Sequence, residues 1–149
     1  LMKEHKVTYF STVAASDAVA QYDGWVKGKT PEPQSIIDKK KSFKEALQSG
    51  VTMGMGGDVG VFAHGENVRE MELMVEYGMN AHDVLKAATS VNARAFHLDG
   101  FVGSIKEGMK ADLVIVTGNP AVAISDLRKV VFVMKDGVVY KQAAAALDK

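Results

Sequence analysis

The sequence predicts an α/β chain, with parallel strands joined by helical crossovers and a small all-β tail after them. Three observations predict it. Short β-branched runs near the start alternate with longer stretches of helical period. That period stops near Leu98-Asp99-Gly100. Beyond it, two apolar runs flank an Asp-Gly dipeptide.

Val7 to Val13 (VTYFSTV) is rich in β-branched and aromatic residues and reads as a strand. A loop containing Gly24, Gly28, Pro31 and Pro33 follows, with a short helix expected over Ala14 to Tyr22. Ser35 to Ser49 places Ile36, Ile37, Phe43, Ala46 and Leu47 at amphipathic spacing, and Gly50 is a C-terminal stop. Val51 to Gly57 (VTMGMGG) reads as a short strand of little side-chain bulk that ends at Asp58. A glycine-punctuated loop, Val59 to Gly65, leads to Asn67, the expected cap of a helix from Val68 to Tyr77 ended by Gly78. Asn80 is the expected cap of a second helix, Ala81 to Phe96.

In the tail, Leu113 to Val116 and Val130 to Met134 are apolar runs. Asp136-Gly137 follows the second, and both turn positions of a tight hairpin want φ > 0, so Val138 to Tyr140 should pair back on Val130 to Met134. The domains are therefore expected at 1–98 and 99–149. Ala143 to Ala146 and the last three residues read as a frayed helix or a cloning remnant, without function. Leu1 to His5 reads as the end of a helix that begins elsewhere, so the chain is expected to be a piece of a longer one.

With 149 residues, 47% hydrophobic and 24% charged, the chain can bury one real core and has an ordinary soluble globular composition. Lys+Arg and Asp+Glu balance at 18 each, which argues against a nucleic-acid partner, since phosphate backbones need a local excess of positive charge. The basic run Lys39-Lys40-Lys41 reads as a solvated helix face. No apolar run approaches the ~20 residues of a membrane span, so no membrane partner is expected. No signal peptide is visible, and a cytoplasmic location is the expectation. The absence of cysteine excludes disulfides and thiolate metal sites.

Asp58 is the most informative residue. At the end of a parallel strand it would stand at the C-terminal mouth of the sheet, where α/β barrels place catalytic groups. Gly54, Gly56 and Gly57 leave room there for a ligand or metal near the backbone. A carboxylate at that point can bind a divalent metal or accept a proton from a metal-bound water. On position alone, a simple turn cap is an equal alternative. His64, in the same loop, can reach a substrate or a metal, or be a surface histidine with a capping role. His5, His82 and His97 read as structural or exposed. No two histidines show the close spacing of a metal pair, and a hydrolytic metal takes about three protein ligands. Glu66, Arg69, Glu70, Glu72 and Glu76 read as helix charges, and the eight methionines as core filling.

Taken in order, GVTMGMGGDVG (50–60), HGENVREMELMVEYGM (64–79), LKAATSVNARAFHLD (85–99), GSIKEGMKADLVIVTGNP (103–120) and VVFVMKDGVVYK (130–141) resemble the C-terminal portion of the amidohydrolase superfamily. The branch in question holds imidazolonepropionase-like and prolidase-like (Xaa-Pro dipeptidase-type) enzymes. The resemblance covers almost the whole chain. It implies a (β/α)8 barrel joined to a small β-sandwich, with Val7 to Val13 as strand seven, Val51 to Gly57 as strand eight and the tail from Gly100 in the sandwich. It implies that Asp58 is the strand-eight aspartate, which binds a metal and takes the proton from the attacking hydroxide. Gly57 stands where the family usually has Ser or Thr. The family's H-x-H on strand one, its lysine or glutamate on strand four and its histidines on strands five and six have no counterpart here and would lie upstream of Leu1.

The resulting expectation is hydrolysis of an amide or peptide C–N bond in a dipeptide or N-acyl amino acid by a metal-bound hydroxide. The cofactor is one or two divalent ions, with zinc expected, and Asp58 is ligand and general acid/base. His64 is a substrate contact. The chain alone should be inactive. Cyclic amide hydrolysis is the alternative within enzymes. A non-catalytic module that completes its fold by self-association is the alternative outside them. Two unpaired sheet edges favour a homo-oligomer.

Overall fold

The computed structural model describes residues 1–143, and the expected tail beyond Ala143 lies outside them. The chain is mixed α/β and divides into two compact units, Leu1–Asn80 and Ala81–Lys149. This division by packing falls ahead of the expected domain boundary near Leu98, which separates helix from sheet.

In the first unit, β1 (Thr8–Phe10) pairs in parallel with β2 (Thr52–Gly54). Helices α1 (Val13–Tyr22) and α2 (Gln34–Gln48) make the crossover between them. Helix α3 (Val68–Glu76) follows β2. Among the described residues the parallel sheet has two strands and does not close. Both strands are shorter than their β-rich stretches. Ser11 and Thr12 turn the corner, so Val13, expected as the last strand residue, is the first of α1. Gly54 sits opposite Phe10, and a Cβ there would meet the Phe10 ring at 2.5 Å, so bare glycine admits the ring.

The helical period placed Ile36, Phe43 and Met74 in the core of this unit, while Ile37, expected on the same face, is exposed and Val13 enters the core from outside the expected helix. Ile36 and Phe43 of α2, Met74 of α3 and Val13 of α1 are completely buried. Full burial of side chains of this size contributes about 1.5–3 kcal/mol each. Phe43 meets Tyr77 edge to face, with ring centroids 5.8 Å apart. Trp25 packs with Ala20 and Ile36, which ties down the loop after α1. Gly50 and Gly78, at φ 68° and 110°, end α2 and α3 as expected.

The second unit opens on one helical stretch made of α4 (Ala81–Lys86), a π-helical turn (Ala87–Val91) and α5 (Asn92–Ala95). Then β3 (Leu113–Val116), a 3₁₀ turn (Ile124–Arg128), β4 (Val130–Lys135) and β5 (Val138–Gln142) follow. The order is β3-β4-β5, antiparallel throughout. The hairpin forms on Asp136 and Gly137, both at positive φ. Asp112 Oδ1 accepts the Asp136 N–H at 2.6 Å, which braces the turn from β3. Among the described residues of this unit the buried apolar set is small: Val84, Ala87, Ala93, Ile124 and Phe132.

Candidate functional site

Parallel pairing of Phe10 with Gly54 sends both chains out of the sheet at the same edge. Ser11 and Thr12 leave β1 there, and Met55 to Asp58 leave β2. Asp58 is thus at the C-terminal edge, but four residues beyond the last strand residue rather than directly after it. The glycine-rich segment that was expected to be strand has too few side chains to hold a ladder and bends away. Asp58 is exposed and left-handed, at φ 56°, and its carbonyl accepts the Val61 N–H at 3.3 Å. Thr12 is left-handed too, at φ 46°. For a β-branched residue this is a strained conformation.

Thr12 and Asp58 border one hollow of about 390 Å³, whose wall includes Ser16 and Val19 of α1, Ser35 and Val61. His64 is exposed and does not line it. Asn67 precedes α3 as expected, but it is helical itself (φ −58°) and its side chain does not cap.

Sequence reasoning missed the buried polar groups beside this edge. Glu70 is completely buried, not a surface helix charge. Its Oε1 accepts the Val13 N–H at 3.1 Å and the Ser11 hydroxyl at 3.3 Å, and its Oε2 accepts the Ala14 N–H at 2.6 Å. The carboxylate of α3 therefore caps α1, a role the Thr12 side chain does not take. Burial pushes the Glu70 carboxyl above its usual range, against the pull of those donors. Next to it, Arg69 pairs with the buried Asp17 of α1 and lies over the Phe62 ring at 5.7 Å. Asp17 Oδ2 also accepts from Gln21 Nε2 at 2.7 Å. A signal for Glu70 existed in the sequence: it falls in register with Leu73, Met74 and Tyr77, on the apolar stripe of α3.

Two exposed carboxylates, Asp58 and Asp23, line the hollow. Among the described residues no group of three His, Cys, Asp or Glu side chains could hold a metal ion. The residues present do not by themselves fit one. No helix among them is long and apolar enough to cross a membrane.

Compared with known families, residues 2–141 match the model of the amidohydrolase family. The chain belongs to that family. No curated protein matches it in sequence. Among solved structures, a Xaa-Pro dipeptidase with bound methionine in its active site is 34% identical, with a TM-score of 0.81 over 94% of this chain and 36% of that one. The Aspergillus niger ochratoxinase is 25% identical, with a TM-score of 0.76 over 96% of this chain and 34% of its own. A prolidase complexed with N-methylphosphonate-L-proline is 25% identical, with a TM-score of 0.70 over 95% and 36%. The chain thus spans about a third of the length of these solved structures.

Proposed function

We propose that this chain is the C-terminal part of a metal-dependent amidohydrolase that cleaves an amide or peptide C–N bond. A dipeptide or N-acyl amino acid is the substrate class, and a prolidase-like likeness at 34% identity to a Xaa-Pro dipeptidase favours the dipeptide. On this reading β1 and β2 are the last two strands of a (β/α)8 barrel, the barrel portion runs to Leu98, and the strands from Asp99 onward belong to a β-sandwich.

The observation that carries the reading is the position of Asp58. It is an accessible carboxylate at the C-terminal edge of a parallel pair, on a left-handed corner beside a hollow. In the complete protein Asp58 would be one ligand of a divalent ion, zinc for preference, and the other ligands would come from outside this chain. The metal supplies Lewis acidity when bound. Asp58 takes a proton from the attacking water and returns it to the leaving amine. Ser16, Ser35 and Thr12 line the hollow beside Asp58. His64 meets substrate from the exposed loop. The test is to express the complete protein, measure its metal content and assay a panel of Xaa-Pro dipeptides, N-acyl amino acids and cyclic amides. Stoichiometric metal with metal-dependent dipeptide cleavage is the expected result. A metal-free protein without hydrolysis would favour a non-catalytic module.

A further inference from the structure

Glu70 has a second set of neighbours besides the cap. A Cβ built on Gly57 would lie 3.6 Å from the Glu70 Cβ and 3.3 Å from Cζ of Phe62. The space that a side chain at Gly57 would fill, just before Asp58, is therefore bounded by the Glu70 stem and the Phe62 ring. Phe62 is buried and is itself covered by the Arg69 guanidinium. Beyond Asp58, the corner closes on two backbone bonds, Gly60 N–H to Phe62 O at 3.0 Å and Val61 N–H to Asp58 O at 3.3 Å.

So one residue of α3 is hydrogen-bonded to the corner after β1 and limits the space beside Gly57 at the corner after β2. Its carboxylate accepts from Ser11, Val13 and Ala14, and its stem takes up the space where a side chain at Gly57 would stand. We infer that Glu70 is a positioning residue: it fixes the corner after β1 and the corner after β2 as one unit and so sets where the Asp58 carboxylate stands relative to Thr12. This deepens the proposed function and rests on it. A solvent-facing glutamate on α3 could do neither job, and capping by Thr12 would fix only the first corner. Arg69 reinforces the unit by tying α1, through Asp17, to the ring that backs Gly57. Coupling of this kind acts through two packed corners and not through contact with substrate. A displacement of about 1 Å at a reacting group can cost on the order of 10²-fold in rate.

The test is made in the complete hydrolase with three variants: Glu70→Gln, Ser11→Ala and Asp58→Asn. Glu70→Gln keeps the shape but turns one acceptor into a donor facing backbone N–H groups. It is expected to lower kcat by about 10–100-fold per folded site, with KM changed less than about threefold, and to shift the acid limb of the pH–rate profile. Amide exchange is the readout independent of turnover. Protection should fall at whichever of Val13 and Ala14 faces the new amide nitrogen, and also at Gly60 and Val61, to which Glu70 makes no hydrogen bond. Ser11→Ala, which removes one donor to Glu70, should shift the same profile in the same direction by a smaller amount. It replaces Glu70→Gln if that variant does not fold. Loss of activity only in proportion to unfolded protein, with an unmoved profile and unmoved Gly60 and Val61 exchange, overturns the inference while leaving the site intact. Normal turnover in Asp58→Asn overturns both the inference and the proposed function.

Discussion

The Glu70 carboxylate accepts a 2.6 Å hydrogen bond from the Ala14 N–H, 56 residues away in sequence, and so one helix caps another. That bond has a pH signature. Burial, the largest influence, raises the Glu70 pKa above its ordinary 4.5, while Ala14, Val13, Ser11 and Lys39 oppose it. The folded state thus holds this proton more tightly than the unfolded chain. The contribution to stability is full below pH 4.5 and is lost as pH rises through the folded-state value. Urea unfolding across that window should show stability falling with pH, at no more than about 1.4 kcal/mol per pH unit from this group. Glu70→Gln should flatten the slope. An unchanged slope in the variant would count against the buried carboxyl as its source.

The tail carries the opposite sign. Asp112 accepts the Asp136 N–H and pairs with Lys135 at 3.2 Å, and these contacts lower its pKa below the ordinary 3.8. Its contribution is present above pH 3.8 and is lost as pH falls through the depressed folded value. Asp112→Asn keeps an acceptor for the Asp136 amide and removes the titration. Acid unfolding of the strands, followed by NMR at the Asp136-Gly137 turn, should become less steep in that variant. Equal steepness would rule Asp112 out.

Gly103 is a steric test of the second unit. It lies at φ 90°, and a Cβ would stand 2.6 Å from the Ala93 Cβ and 3.0 Å from the Thr89 carbonyl oxygen on the helical stretch. Neither contact is the end of a flexible side chain. Gly103→Ala should destabilise by about 1–3 kcal/mol from overpacking, with a further left-handed penalty of about 1–2 kcal/mol. Thermal denaturation checks this, and a wild-type melting temperature would contradict the packing described.

Much of this fold was legible in the sequence. Asp136-Gly137 gave the hairpin, because few dipeptides accept two positive φ values. Leu113 to Val116 gave β3 to the residue. Ile36 and Phe43 gave the buried face of α2 through their spacing. Strand ends were less legible, because Val7 to Val13 has one β-rich composition throughout and the break after Phe10 is made by Glu70 from a distant helix. The site was half legible. Asp58 announced itself by following a run of glycines. Glu70 was masked by Glu66, Glu72 and Glu76 around it, since a carboxylate reads as solvated until its partners are known. Thr12 carried no signal at all: nothing in its composition marks a threonine that turns left-handed.

Association follows from the sheet of the second unit. β3 and β5 are its edges among the described residues, and Val114, Ile115, Val138, Val139 and Tyr140 are exposed on them. Exposed edges with apolar side chains recruit partners. Light scattering on the isolated chain should give a mass above the 16.0 kDa of one copy, rising with concentration. A monodisperse monomer at high concentration would argue against self-association.

The final prediction concerns Asp58→Asn in the complete protein. Asparagine matches the carboxylate in shape, and the corner that holds it is set by backbone bonds from Gly60 and Val61 and by packing at Gly57, none of which involves the Asp58 carboxylate. The left-handed φ of 56° is tolerated by asparagine as well as by aspartate. The substitution should therefore leave the fold and melting temperature nearly unchanged, which makes any loss of rate interpretable. What it removes is a negative charge and a proton acceptor at the sheet edge. Loss of a general base costs on the order of 10²–10⁴-fold. If Asp58 also holds a metal, the variant should lose the ion to a chelator more readily than wild type, since neutral amide oxygen binds a dication less strongly. Reduced kcat with a reduced metal content assigns metal binding to Asp58, and a deficit that persists after excess metal refills the site assigns it proton transfer as well. Reduced kcat with full metal content assigns it proton transfer alone. Wild-type kcat in a correctly folded Asp58→Asn protein would remove Asp58 from the reaction altogether.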